Sequence, residues 1–292
     1  MNDATPAGRG IKTVAVLGAG TMGHGIAQVS AAAGLTTRLF DVSATQVEQG
    51  LAKIRANLDK GIARGKVSEA ERDATLGNLS GASSIAAAAE GADLVIEAVP
   101  EKVELKQKVF GEAVDHVADG AILGTNTSSL SIDAVAQGLP DPSRVIGLHF
   151  FNPVHIMKLL EIIVGERTAD DVLARSRAYG EAIGKECITV KDSPGFATSR
   201  LGLVIGLEAI RMVEQGVASA EDIDKAMTLG YGFPMGPLRL TDLVGLDVRL
   251  SIAEYLAQHL QPGAHFEPPQ LLRDMVAAGK LGKKSGEGFY PW

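Results

Sequence analysis

A run of glycines set directly behind a short β-rich segment constrains this chain more than any other feature of it. Thr13-Val-Ala-Val-Leu17 leads into Gly18-Ala-Gly20-Thr-Met-Gly23, an apolar stretch follows, and Gly34 closes it before Thr36-Thr-Arg-Leu-Phe-Asp41. No Lys, Arg, Asp or Glu occurs between Thr13 and Thr37, a length that could span a bilayer. Glycines at 18, 20, 23, 25 and 34, with Thr21, His24, Gln28 and Ser30 between them, interrupt the apolar character that a spanning helix needs. The segment therefore predicts strand, tight turn, helix and second strand, a βαβ unit.

In that context the glycines acquire separate tasks. Gly18 permits the tight turn, Gly20 lets the backbone approach a pyrophosphate, and Gly23 lets helix and sheet pack closely. The helix N–H groups offer their positive end to phosphate. Asp41 follows Gly23 by eighteen residues and ends the second strand, where an acid accepts hydrogen bonds from an adenosine ribose and repels a 2′-phosphate. The expected ligand is NAD, bound by Gly18, Ala19, Gly20, Thr21, Met22, Gly23 and Asp41. The competing explanation, a glycine-rich turn with a chance acid downstream, has to account for the agreement of turn, helix and acid in position.

Further β-like runs fall at Asp93–Val99, Ala121–Thr125, Arg144–Phe150, Leu159–Val164 and Cys187–Val190, with helical patterns such as Val103–Val117 and Ala169–Ala182 between several of them. Beyond Lys191-Asp-Ser-Pro-Gly195 no buried strand is evident, and apolar-periodic segments take over at Ala197–Glu214, Ala220–Leu229, Gly236–Leu260 and Pro269–Ala278. The expected fold is α/β: a Rossmann-type, mostly parallel sheet over residues 1–193, followed by a smaller all-helical C-terminal domain over 194–292. The apolar fraction of 46% suffices for two cores. A net charge of −7 repels a phosphate backbone and argues against nucleic acid as partner. One cysteine, Cys187, and an N-terminus without an apolar core segment point to the cytoplasm, with no membrane partner.

His149 and Glu161 lie on two β-like runs flanking the turn signal Asn152-Pro153. A hairpin-like return centred near His155 places them opposite each other, with Cβ atoms about 4.5–5.5 Å apart. A carboxylate there fixes the imidazole tautomer and stabilises the imidazolium, as base catalysis requires. A lone histidine at a strand end is more often structural, so the weight rests on the pair. Asn126-Thr-Ser128 follows a strand of the same sheet, where ligands bind in open α/β folds, although a serine cluster also suits a helix N-cap. Within Leu51–Lys66, a segment whose only acid is Asp59, Lys53, Asn57, Lys60 and Arg64 share one helix face. This is either a solvated face or an anion site on an otherwise acidic protein.

These residues together resemble the L-3-hydroxyacyl-CoA dehydrogenases, most of all the short-chain 3-hydroxybutyryl-CoA group. The likeness runs through GAGTMG at 18–23, VIEAVPE at 95–101, NTSSL at 126–130, GLHFFNPV at 147–154, MKLLEII at 157–163, DSPGF at 192–196, YGFPMGP at 231–237 and GKKSGEGFY at 282–290. It implies NAD-dependent interconversion of a (3S)-3-hydroxyacyl-CoA and a 3-oxoacyl-CoA. His149 would be the base, Glu161 its orienting partner, and Ser128 a contact to both substrate and nicotinamide. Further cofactor contacts would fall on Glu101, Lys106, Asn152 and Lys284, and no residue is assigned to a metal. The acyl-CoA would meet Asn57, Lys60, Arg64, Ser128 and Ser199, and the helical domain would form a homodimer. At Ser199 the family commonly has Asn, so the acyl end of the site departs from the pattern. Two rivals remain: a dehydrogenase of a non-CoA hydroxy acid such as a sugar acid, and a catalytically silent nucleotide-binding protein on the same scaffold.

Overall fold

A computed structural model describes residues 10–292 and divides the chain into two compact units between Asp192 and Ser193. The first unit runs β1 (Thr13–Leu17), α1 (Gly23–Ala32), β2 (Thr36–Phe40), α2 (Ala44–Ala63), α3 (Glu69–Gly77), β3 (Leu79–Gly81), α4 (Ile85–Ala89) and β4 (Leu94–Glu97). It continues through α5 (Val103–Ala113), β5 (Ile122–Thr125), α6 (Ile132–Ala136), β6 (Val145–Phe150), β7 (Leu159–Val164), α7 (Asp170–Ala182) and β8 (Glu186–Lys191).

The eight strands form one sheet in the order β3-β2-β1-β4-β5-β6-β7-β8. Pairings from β3 through β6 are parallel, β7 runs antiparallel to β6, and β8 is parallel to β7. The first six strands therefore follow the Rossmann order, with ligands expected beyond the carboxyl ends of β1, β4 and β5. Central strands β4, β5 and β6 are buried at every position, as a parallel sheet covered on both faces demands, whereas the edge strand β8 is largely open. Val14, Val16, Ile26, Leu39, Leu94, Ile96, Ile122 and Leu148 belong to the core that joins sheet and helices.

The second unit is helical: α8 (Thr198–Glu214), α9 (Ala220–Lys225), α10 (Pro237–Val244), α11 (Leu246–His259) and α12 (Gln270–Ala277). Its core gathers Leu203, Leu207, Ile210, Leu238, Leu246, Leu256, Phe266 and Leu272. The apolar segment expected over Gly236–Leu260 is not one helix. Gly245 adopts φ +106°, a conformation in which L side chains are strained, and breaks it into α10 and α11. Past α9 the backbone makes a single π turn over Ala226–Gly230.

Buried carboxylates hold the C-terminal tail. Asp242, fully buried on α10, accepts from the Phe289 and Tyr290 amides and from Trp292 Nε1, each at 2.9 Å. Asp224 accepts from the Leu238 and Arg239 amides in the first turn of α10 and from the Tyr290 hydroxyl. Among the described residues no helix is long and apolar enough to cross a membrane.

Candidate active site

Strands β6 and β7 pair in the register that puts His149 opposite Glu161. The His149 Nδ1 lies 2.8 Å from Glu161 Oε2, with Glu161 fully buried and His149 6% exposed. A carboxylate only accepts, so Nδ1 carries the hydrogen and proton exchange with a substrate falls to Nε2. The turn between the strands contains the cis bond Asn152–Pro153. Lys185 pins it from the start of β8, its ammonium donating to the carbonyls of Val154 and, at 2.7 Å, Met157. Burial pulls the Lys185 ammonium below its ordinary range.

Ser128 sits just past β5, and its loop is tied on both sides. Asn126 Oδ1 accepts from the Phe150 amide at the end of β6, so the loop is bound to the residue after His149. Glu101 Oε1 accepts from the Ser128 amide at 2.9 Å and from the Thr127 hydroxyl at 2.5 Å. Its second oxygen lies 3.2 Å from Lys106 Nζ. Lys106, expected to touch the cofactor, is instead fully buried, its ammonium 2.9 and 3.0 Å from the two oxygens of Glu97. Its ammonium supports Glu101 from beneath. Thr125 donates to the same Glu97. Burial pushes the Glu97 carboxyl up, and Lys106, Thr125 and the Val99 amide pull against it.

At the glycine turn, Gly18 has φ +107°, and a Cβ there would lie 2.7 Å from the Ala98 carbonyl oxygen. A Cβ on Gly23 would lie 1.7 Å from the Gly18 carbonyl oxygen, so this contact of helix on turn admits no side chain. At Gly20 nothing lies within 4 Å of that position. The open side of the turn borders a cavity of about 560 Å³ lined by Gly18, Gly20, Thr21, Met22, Asp41 and Val99 among others. Asp41 is fixed by the Ala19 amide at 2.9 Å and the Ser43 amide at 3.1 Å. A bare backbone cradle with a carboxylate at its far side fits a dinucleotide with a free ribose.

The basic face of α2 borders a second cavity, of about 510 Å³. Asn57, Lys60 and Arg64 line it as a group, Asn57 donating to Gln28 Oε1 at 3.1 Å. Sequence reasoning missed other parts of the wall, among them Lys66 beyond the helix, Gln28 from α1, the acid Glu71 from α3, and His155 and Ile156 from the β6–β7 turn. Burial, with the charges of His24 and Lys185, lowers the His155 pKa, so its ring is neutral at pH 7.

Two further expected residues belong to the helical unit. Ser199 lies in the first turn of α8. Lys284, in the tail, holds its ammonium on Asp247, 2.6 Å from Oδ2.

The sequence matches two family models end to end: the 3-hydroxyacyl-CoA dehydrogenase NAD binding domain over residues 13–193 and the C-terminal domain of the same family over 195–292. The chain belongs to the 3-hydroxyacyl-CoA dehydrogenase family. A 3-hydroxybutyryl-CoA dehydrogenase of Mycobacterium tuberculosis is 43% identical over 284 residues, covering 97% of this chain and 99% of that protein. A probable 3-hydroxybutyryl-CoA dehydrogenase of Bacillus subtilis is also 43% identical, over 97% of this chain and 98% of its own. The crystal structure of (S)-3-hydroxybutyryl-CoA dehydrogenase from Ralstonia eutropha superposes with a TM-score of 0.93 at 40% identity, covering 97% and 99% of the two chains. As a 3-hydroxyacyl-CoA dehydrogenase the protein is an NAD-dependent oxidoreductase, and neither rival function is favoured.

Proposed function

We propose that this enzyme interconverts short (3S)-3-hydroxyacyl-CoA thioesters, 3-hydroxybutyryl-CoA foremost, and their 3-oxoacyl counterparts. The observation that carries this reading is the buried His149–Glu161 pair at 2.8 Å, standing at the end of β6 beside the braced Ser128 loop. In the oxidising direction Nε2 of His149 takes the proton of the 3-hydroxyl, and Glu161 balances the positive charge that the ring acquires. In reduction the same imidazolium returns the proton to the forming hydroxyl. Ser128 offers its hydroxyl to the substrate oxygen from a backbone position held by Glu101. Bound NAD supplies the hydride acceptor, and its reduced form the donor.

The two cavities divide the remaining recognition between them. The glycine turn, Asp41, Glu101 beyond β4 and Asn152 in the β6–β7 turn hold the dinucleotide, with Lys106 acting through Glu101 and Lys284 contributing from the tail. Asn57, Lys60, Arg64 and Lys66 hold the CoA phosphates, and Ser199 meets the acyl group. NADH oxidation with acetoacetyl-CoA, set against free 3-oxo acids, tests the assignment directly: turnover of the thioester alone is expected, and equal turnover of the acids would return the enzyme to the sugar-acid class. In a Lys60→Ala/Arg64→Ala variant KM for acetoacetyl-CoA should rise about tenfold or more, and its dependence on salt should flatten, because two charges facing the phosphates are gone. An unchanged KM would make this a solvated helix face.

The homodimer belongs to the same reading. On the helical unit Leu201 is 62% exposed, Val217 60%, Leu229 83% and Tyr231 79%. An apolar cavity of about 370 Å³ lies between α8 and α9, lined by Val204, Ile205, Ala209, Met212 and Met227 among others. Such surface is unusual on a monomer, and a two-fold pairing covers it. Sedimentation at micromolar concentration should give twice the chain mass, and a monomeric mass would refute the pairing. The single cysteine agrees with a cytoplasmic setting.

A further inference from the structure

The basic cavity takes most of its lining from the helices α1, α2 and α3, which hold their own shape, but part of its wall is the turn between β6 and β7. His155 and Ile156 form that part. Ile156 is 62% exposed, so packing of its own side chain fixes it little. Closure of the turn is local, the amides of Ile156 and Met157 both donating to the Pro153 carbonyl at 2.9 Å. Val154 is its apolar anchor: it is 2% exposed and lies so near α1 that a Cβ on Gly25 would come within 2.8 Å of the Val154 Cβ.

The remaining hold on the turn comes from Lys185, the residue before β8. Its ammonium donates to the carbonyls of Val154 and Met157, the two that bracket His155 and Ile156. Lys185 is 8% exposed, and among the described residues no carboxylate pairs with it. Burying an ammonium without a counter-charge is costly, and burial accordingly pulls its pKa down. A methionine of similar length would avoid that cost, so what the lysine contributes is the pair of charge-assisted hydrogen bonds. Lys185 is not part of the cavity wall. Any effect it has on a ligand there passes through the turn.

We propose that Lys185 is a positioning residue for the CoA part of the substrate, holding the carbonyls on either side of His155 and Ile156 and so fixing the wall that these two side chains present. This rests on the functional reading above, which puts the CoA phosphates on the α2 side of the same cavity. The catalytic pair has other supports: the Phe150 amide is bound to Asn126, and Glu161 holds the His149 ring. Loss of the clamp therefore falls on CoA binding and not on proton transfer.

Steady-state kinetics of Lys185→Met, Lys185→Arg and His155→Ala/Ile156→Ala, with acetoacetyl-CoA and NADH varied separately, test the assignment. Lys185→Met should raise KM for acetoacetyl-CoA about tenfold while kcat stays within about threefold of the wild type. KM for NADH should move far less. Lys185→Arg keeps the charge and the donors, so its rise in KM should be clearly smaller than that of Lys185→Met. His155→Ala/Ile156→Ala removes only exposed side chains and should raise KM for acetoacetyl-CoA about threefold or more with kcat unchanged.

An unchanged KM in His155→Ala/Ile156→Ala shows that the turn does not meet CoA and overturns the proposal, even where Lys185→Met fails to fold. A fall in kcat at constant KM in Lys185→Met, or equal rises in KM in the Met and Arg variants, overturns it as well, because the lysine then serves the His149 strand or merely fills space. The Lys60→Ala/Arg64→Ala variant separates this proposal from the reading beneath it. If that variant too leaves KM unchanged, CoA does not occupy the cavity and the reading of the site fails. If it raises KM while the turn variants do not, only the role of Lys185 is lost.

Discussion

Replacing His149 with Gln should lower kcat for acetoacetyl-CoA reduction by about 10²–10⁴-fold, the range typical of a positioned acid or base, while the affinity for NADH stays close to that of the wild type. Gln keeps polarity and approximate size, so the loss falls on proton transfer and not on the packing of β6 against β7. The dinucleotide cradle at Gly18–Gly23 is built from other strands and does not depend on the imidazole. Glu161→Gln should give a smaller loss of the same kind, because the amide can still meet Nδ1 but no longer balances the imidazolium. Rapid-mixing turnover beside NADH fluorescence titration separates the two quantities. Near-wild-type rates in both variants would remove the pair from the mechanism, and a parallel loss of NADH binding would make His149 structural.

That pair was legible in the sequence because it needs only two local facts, the period-two alternation of strands and a turn signal midway between them. The glycine turn was legible for a similar reason, since Gly18, Gly23 and Asp41 are each fixed by a steric or charge requirement that few other residues meet. What stayed hidden depends on tertiary structure. Lys66, His155 and Ile156 reach the basic cavity from distant segments, so no window of sequence groups them. Nothing in the sequence pairs Glu97 with Lys106, nine residues on, until the fold buries both. Gly245 cannot be told from a tolerated helical glycine without its positive φ. The helix α3 carries a readable capping box, Ser68 with Glu71, yet its face is too polar for apolar periodicity to mark it.

Lys106→Met should destabilise the first unit by about 3–5 kcal/mol, because it leaves the Glu97 carboxylate buried without its counter-charge. Thr125 and the Val99 amide still donate to Glu97, but neither carries charge. For a unit of this size each kcal/mol corresponds to about 2–4 °C, so differential scanning calorimetry should show a fall of roughly 6–20 °C. Glu97→Met/Lys106→Met removes both charges together and should recover most of that loss, since two well-packed apolar side chains replace a buried pair at little penalty. Activity should not recover with it. Glu101 receives the Lys106 ammonium at 3.2 Å on one oxygen and holds Ser128 and Thr127 with the other, so without the lysine the carboxylate that braces the Ser128 loop is anchored on one side only. A double variant restored in both stability and kcat/KM would reduce the Glu97–Lys106 pair to a structural element. One restored in stability alone would place the pair where the geometry puts it, as the buried footing on which Ser128 is positioned.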